Sequence, residues 1–177
     1  LGIESLHQQS LEGMNKQNLN PAMTKKVVEM LQDFGICIFG GVIIGYPGET
    51  KKMVRQTIQF IKELELDFVQ FTPITAFPGT DFFKEMEEKN KIRTRNYRRY
   101  DLFNSMMNTD ELTEQELHQL VIEAYSYYYL SGDWIRLITK RYVNPFGKYN
   151  WNFSQVPKVA RKVIVNGLQM FKNQGIS

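Results

Sequence analysis

Cysteine is nearly absent. Cys37 is the one thiol in 177 residues, which excludes an internal disulfide framework and any metal site built from several cysteine ligands. Histidine is almost as scarce. His7 and His118 lie far apart with no metal-ligand spacing, so structural or surface roles are expected for both. No apolar run approaches the roughly 20 residues that a membrane-spanning helix needs. No nucleophile elbow, Walker loop or GxGxxG fingerprint is present, so the phosphate-cradling and acyl-transfer signatures are missing. Leu1 to Ser10 carry no basic n-region or cleavage site. With a single thiol, that makes a cytoplasmic setting the expectation.

Acid is missing from one region altogether. After Asp133 there is no Asp or Glu, while residues 134–177 hold eight Lys or Arg. The first 133 residues hold fourteen basic and nineteen acidic groups, so an acidic body (−5) precedes a basic tail (+8) within an overall +3. Such asymmetry suggests that the two parts meet different partners, or each other. What is present suffices for a core: 42% of residues are hydrophobic and 23% charged, which argues against global disorder. The length fits one domain, or one domain and a tail.

The chain reads as strands and helices in alternation, then as helices. Leu1 to Ser5 look like the end of a strand that starts with no turn before it. Asn20-Pro21 is a helix start, with Asn20 as N-cap and Pro21 at the first helical position. Val27, Leu31 and Phe34 give that helix one apolar face, and Gly35 suits a left-handed cap. Residues 36–45 are nearly all apolar or glycine, the pattern of a parallel strand buried on both faces. A helix from about Thr50 follows, with Val54, Ile58 and Ile61 inward, then a strand over 67–73 and a turn at Phe77-Pro78-Gly79-Thr80, with Thr80 as N-cap. Further on, Thr113 and Glu116 make a capping box before a long helix to about Leu130, and residues 131–141 read as helical too.

Strands joined by helical crossovers run parallel. Three of them leave both sheet edges open, and a complete barrel needs about 250 residues. The expected fold is therefore α/β: the C-terminal half of a partial TIM-type (β/α) barrel over 1–90, a helical extension over 91–143 and a basic, aromatic-rich tail over 144–177 with an amphipathic helix. Upstream strands are expected to be supplied by a preceding part of the same polypeptide. The alternative is a small three-strand layered domain.

The glycine strand says most about chemistry. Alternate residues share a face, and one face is Cys37, Phe39, Gly41, Ile43 and Gly45. Two glycines there cost strand propensity. They are useful where something flat, such as adenine resting on Ile43, must approach the backbone. A neighbouring side chain filling the gap is the competing explanation.

Gly2-Ile3-Glu4-Ser5, Lys16, Gly41-Val42-Ile43-Ile44-Gly45-Tyr46-Pro47-Gly48-Glu49-Thr50 and Pro73 with Phe77-Pro78-Gly79-Thr80 occur in this order. The ordered set resembles the C-terminal half of a radical S-adenosylmethionine (SAM) domain over about residues 1–130. It is most similar to the cobalamin-binding branch that includes the anaerobic magnesium-protoporphyrin IX monomethyl ester cyclases. The resemblance implies SAM contacts. Glu4 and Ser5 would meet the ribose and amino groups, and Lys16 the carboxylate. Gly41, Ile43 and Gly45 would meet the adenine, as would the backbone around Gln70 and Phe71. Two departures from the pattern stand out: the glycine usual after the basic residue is Gln17, and Glu49 lies one position later than in the strictest motif.

The resemblance also implies a 4Fe–4S cluster held by a CxxxCxxC loop after the first strand, and cobalamin in an upstream domain. Iron–sulfur clusters are held by several thiolates, and Cys37 alone cannot supply them. The expected protein is thus the back half of an enzyme that forms a 5′-deoxyadenosyl radical and acts on a porphyrin-like or lipid-like small molecule. This chain alone is expected to be inactive. Its alternative is a non-catalytic binding or peripheral membrane-docking domain on the same half-barrel, supported only by the missing cluster cysteines; the tail's Val156, Val159, Ala160, Val163 and Ile164 beside Lys158, Arg161 and Lys162 suit an anionic membrane surface or, preferably, packing on the acidic body. Arg93, Arg95, Arg98 and Arg99 interleave with Tyr97 and Tyr100. An anionic substrate or the acidic Glu85–Glu88 helix suits them better than nucleic acid, because the body is acidic.

Overall fold

A computed structural model of the chain describes residues 1–143. The expected tail helix, and the membrane-docking reading that rests on it, lie outside the described residues. Three strands, β1 (Gly2–Glu4), β2 (Phe39–Ile44) and β3 (Phe68–Pro73), form one parallel sheet in the order β1-β2-β3. Between them run α1 (Gln8–Gly13), α2 (Pro21–Asp33) and α3 (Lys51–Glu63). After them come α4 (Asp81–Glu88), a 3-10 turn at Tyr97–Arg99, α5 (Glu114–Tyr129) and α6 (Gly132–Ile138), which runs into a π-turn at Thr139–Val143. The α/β class and the parallel pairing match expectation. The described sheet is open, with three strands and no barrel closure. Short α1 carries no strong periodicity and was not anticipated. No helix among the described residues is long and apolar enough to cross a membrane.

Local signals set the helix ends. The Asn20, Thr50 and Thr80 side chains accept hydrogen bonds from Met23 N, Met53 N and Phe83 N, and Thr113 and Glu116 form the reciprocal capping box. Gly35 takes φ +68°, as a left-handed cap requires. On α3, Val54, Ile58 and Ile61 are buried as expected. The face expected for α2 needs correction. Val28 is its buried residue, Val27 and Leu31 are partly buried, and Phe34 is 76% exposed. A period of 3.6 admits two neighbouring apolar stripes here, and the tertiary fold selects the one through Val28.

Strand β2 is buried on one face only. Ile38, Gly40, Val42 and Ile44 enter the core, whereas Phe39 is exposed and Gly41 and Ile43 are partly so. The reason is topological. Sequential parallel strands with right-handed crossovers place both crossover helices on the same side. The sheet edges are not alike either. Helix α5 lies against β3 and caps its outer edge with tyrosines: Val69 N donates to Tyr129 Oη at 2.7 Å, Tyr129 Oη donates to Val69 O at 2.7 Å, and Phe71 N donates to Tyr125 Oη at 3.2 Å. The edge expected to be open at β3 is therefore satisfied by side chains. At the opposite end of β3, the fully buried Asp67 accepts from Ile38 N (2.7 Å) and pairs with Arg141 (3.0 Å), while its carbonyl accepts from Trp134 Nε1 (2.9 Å). This knot ties α6 and the turn after it to the base of the sheet.

Candidate functional site

The open face carries a row of three residues. Gly2 stands opposite Gly41, and Gly41 opposite Gln70. A Cβ on Gly41 would meet nothing closer than Leu1 O at 3.8 Å. The backbone is thus accessible from that side to a flat group. One step along, half-buried Ile43 stands opposite Thr72. The odd polarity of Gln70 is explained by this placement. It lies on the uncovered face, and its amide makes no hydrogen bond among the described residues.

At the end of the row, Glu4 takes φ +65°, a left-handed backbone that non-glycine residues rarely adopt and that clusters at functional sites. Its carboxylate folds back into the space a side chain at position 2 would need, 2.7 Å from an ideal Cβ there. Lys16 Nζ lies 3.9 Å from Glu4 Oε1 and is half exposed. A carboxylate and an ammonium therefore sit together beside the glycine row, able to accept from hydroxyl or amino groups and to pair with an anion.

The other expected site residues point elsewhere. Ser5 is turned inward; its hydroxyl donates to Glu49 Oε1 at 2.6 Å and accepts from His7 N at 3.2 Å. Phe71 lies on the helical face, its ring 5.5 Å from Tyr125 and 6.1 Å from Tyr128. Gly45 lies beyond β2 with φ +77°, and a Cβ there would collide with the Leu117 side chain. The two glycines that alternation placed on one face thus have separate causes. At position 45 a side chain fills the gap, and at position 41 none does.

Glu49 was the residue whose role sequence reasoning left open. It is 1% exposed. Oε1 accepts from Ser5 and Ser10 hydroxyls at 2.6 and 2.7 Å, and Oε2 from Gly45 N and Tyr46 N at 3.2 and 3.3 Å. Four donors compensate the buried carboxylate. It clasps the end of β1, helix α1 and the loop after β2, the three segments that form this rim. Its sequence neighbours Gly48 and Thr50 resemble an ordinary exposed helix start, so no local signal marked it. Tyr46, in the same loop, stacks on Phe82 of α4 at 6.3 Å. Burial, then the nearby Glu85 carboxylate, raises the Tyr46 phenol above its usual range, so this hydroxyl stays protonated at neutral pH.

Cys37 lies at the other end of β2. Burial, only partly offset by its hydrogen bond with Tyr142, pushes the thiol up, which suits an inert thiol rather than a nucleophile. Among the described residues no group of three or more His, Cys, Asp or Glu could hold a metal ion.

No family model matches the chain. It is similar to an uncharacterized methyltransferase of Pyrococcus horikoshii, with 34% identity over 129 residues, covering 73% of this chain and 28% of that protein. It is also similar to bacteriochlorophyllide d C-12(1)-methyltransferase of Chlorobaculum tepidum, with 32% identity over 66% of this chain and 25% of that one. The anaerobic magnesium-protoporphyrin IX monomethyl ester cyclase of Rubrivivax gelatinosus aligns at 23% identity along 99% of this chain and 28% of its own. The relation to radical SAM enzymes is distant and part-length. The chain spans between a quarter and a third of the curated relatives it matches over more than half its own length.

Proposed function

We propose that this chain forms one side of an S-adenosylmethionine site in a radical SAM enzyme. The observation that carries this reading is the uncovered row Gly2–Gly41–Gln70. Adenine would lie over Gly41 against Ile43 and beside the Gln70 amide. Glu4 would accept from the ribose hydroxyls or the amino group, and Lys16 would pair with the carboxylate. Ser5 and Gly45 would act from behind, as the two ends of the Glu49 clasp. Phe71 would stiffen β3 from the helical side. When bound and reductively cleaved, SAM supplies a 5′-deoxyadenosyl radical, and this chain's part is to hold and orient the nucleoside.

The residues present fit SAM, because a cradle is open where a Cβ would close it. They do not fit an iron–sulfur cluster, which one thiol cannot hold. Cluster and cobalamin would be held by residues outside this chain. The preceding part of the polypeptide would dock on the β1 edge of the sheet; Met23, Met30, Phe34, Ile36 and Phe39, on α2, just after it and at the start of β2, are large apolar residues left exposed. Tetrapyrroles and lipids are the substrate classes this reading carries, and the names of the Chlorobaculum and Rubrivivax relatives favour the first.

The coding sequence upstream of Leu1 is the first test, and a CxxxCxxC loop on a βα unit is expected there. An upstream region without those cysteines overturns the reading. In the complete polypeptide, Gly41→Val should leave folding intact, since nothing crowds that position, and should weaken SAM binding at least tenfold by equilibrium dialysis. Unchanged binding would reject the adenine placement.

A further inference from the structure

The uncovered face of the sheet changes character along the strands. Alternation places Cys37, Phe39, Gly41 and Ile43 on this face, and with them Phe68, Gln70 and Thr72 of β3. The glycine row with Gln70 lies midway. Below it, at the end where the strands begin, the register sets Phe39 beside Phe68. Phe39 is 53% exposed, and Phe68 is half-buried with its ring edge-on to Trp134 at 6.5 Å. Half-buried Cys37 stands one step lower. Two adjacent phenylalanines and a thiol make an apolar foot beneath a glycine-lined row. The SAM reading assigns this foot no contact, and an apolar patch on a sheet face calls for a covering layer.

The described residues end at this foot. Arg141 bonds at 3.0 Å to Asp67, the residue before Phe68, and Tyr142 hydrogen-bonds to Cys37. Val143 therefore leaves beside the patch, and residues 144–177 follow it. At no more than about 3.6 Å per residue, the first of them are tethered close to Phe39 and Phe68, so closing over the patch costs little chain entropy. Their sequence supplies matching chemistry: Phe146, Tyr149, Trp151 and Phe153 come in close succession. Charge agrees as well. The segment is basic and has no Asp or Glu, whereas Glu63 and Glu65 are exposed in the turn that leads into β3. We infer that residues 144–177 of this chain cover Phe39 and Phe68 and close the foot of the open face.

Two other occupants fit less well. The preceding part of the polypeptide would meet the β1 edge first, and Phe68 lies on β3, the strand farthest from that edge. A second copy would have to compete with a segment tethered next to the patch, against its high effective concentration. The inference stands without the SAM reading. Where both hold, the covered foot is the floor of the nucleoside site and keeps water from its underside.

The test replaces Phe39 of the 177-residue chain by the photo-crosslinking analogue p-benzoylphenylalanine, which an exposed position tolerates. After irradiation and digestion, the main crosslinked peptides are expected to come from residues 144–177 of the same chain, at a yield independent of protein concentration. The analogue in place of Met23, exposed on α2, should give at least fivefold less of them. Trp151→Asp with Phe153→Asp should cut the yield from position 39 at least fivefold. Crosslinks confined to residues 1–143, or none at all, overturn the inference. Crosslinks between chains that rise with concentration overturn it in favour of a second copy. In the complete polypeptide, crosslinks to the preceding part in place of residues 144–177 overturn it in favour of that part. Gly41→Val should leave the crosslinks from position 39 unchanged, so failure of the SAM site and failure of the covered foot are read separately.

Discussion

The two faces of this sheet are made by the same three strands and have opposite fates. On the helical face every position is occupied. Gly40 has Leu66 2.6 Å from where its Cβ would be, Val42 and Ile44 are buried, and α5 reaches round to seal the β3 edge. On the other face, glycine faces glycine across β1 and β2, a glutamine stands where a core strand would carry valine, and among the described residues no strand pairs with the outer edge of β1. Stability resides on the first face. The second is free to be shaped by a ligand or by more of the protein, because little is lost when it stays empty. The SAM proposal amounts to that statement, read chemically.

Substitutions can break the comparison from its strong side downward. The largest effect is expected at the base. Arg141→Met strips the partner from a carboxylate with no solvent access, and losing one half of a buried pair costs about 3–5 kcal/mol; urea unfolding should show it. Gly45→Ala comes next. It forces a side chain into a left-handed position already filled by Leu117, at about 3 kcal/mol from strain and overpacking together. Gly41→Val, four residues earlier, should stay within about 0.5 kcal/mol of the parent, as for a surface change. Similar losses at 41 and 45 would erase the distinction between the faces.

Tyr129→Phe removes one hydroxyl that serves both polar groups of Val69, for about 1–3 kcal/mol, and should increase aggregation by unmasking the strand edge. The same tyrosines predict an alkaline limit. Burial pushes the Tyr125 phenol up to about 12, while in the unfolded chain it ionises near its usual 10. The unfolded state therefore sheds its proton first, and stability is full below about pH 10 and falls as pH rises through about 12. Tyr125→Phe should lessen that slope, as read by thermal melts between pH 9 and 12, while the Tyr128 and Tyr129 phenols, also raised by burial, keep the rest of it. The smallest effect is expected at the exposed α3–α5 pair. Arg55 meets Glu123 through two bonds of 2.7 and 3.0 Å, yet exposed ion pairs contribute little and fade with salt.

Much of this was legible because it is local. Asn20-Pro21, Thr50, Thr80 and the Thr113–Glu116 box set helix starts through bonds spanning three residues, and sequence displays such spacings directly. The parallel order of the strands followed from their alternation with helices. Gly41 and Ile43 could be singled out because glycine in an apolar strand demands a reason. What escaped was long-range. Nothing near Glu49 announces that two serines, one just past β1 and one in α1, will find it. The inward turn of Ser5 depends on that same meeting. Alternation put Gly45 beside Gly41, but the strand ends at Ile44, and past that point alternation has no force. The tyrosines of α5 read as an aromatic helix, and only their approach to β3 turns hydroxyls into substitutes for a missing strand.

That substitution also has a timing. Val69 and the hydroxyl that completes its bonding are 60 residues apart in the chain. At about 5–20 residues per second, translation delivers the strand roughly 3–12 s before the cap. Until then β3 shows a nascent chain's neighbours an unguarded row of donors and acceptors. Polysome crowding and slow codons between the two would lengthen that exposure, so the segment between Val69 and Tyr129 is where synthesis speed and yield of folded protein are coupled.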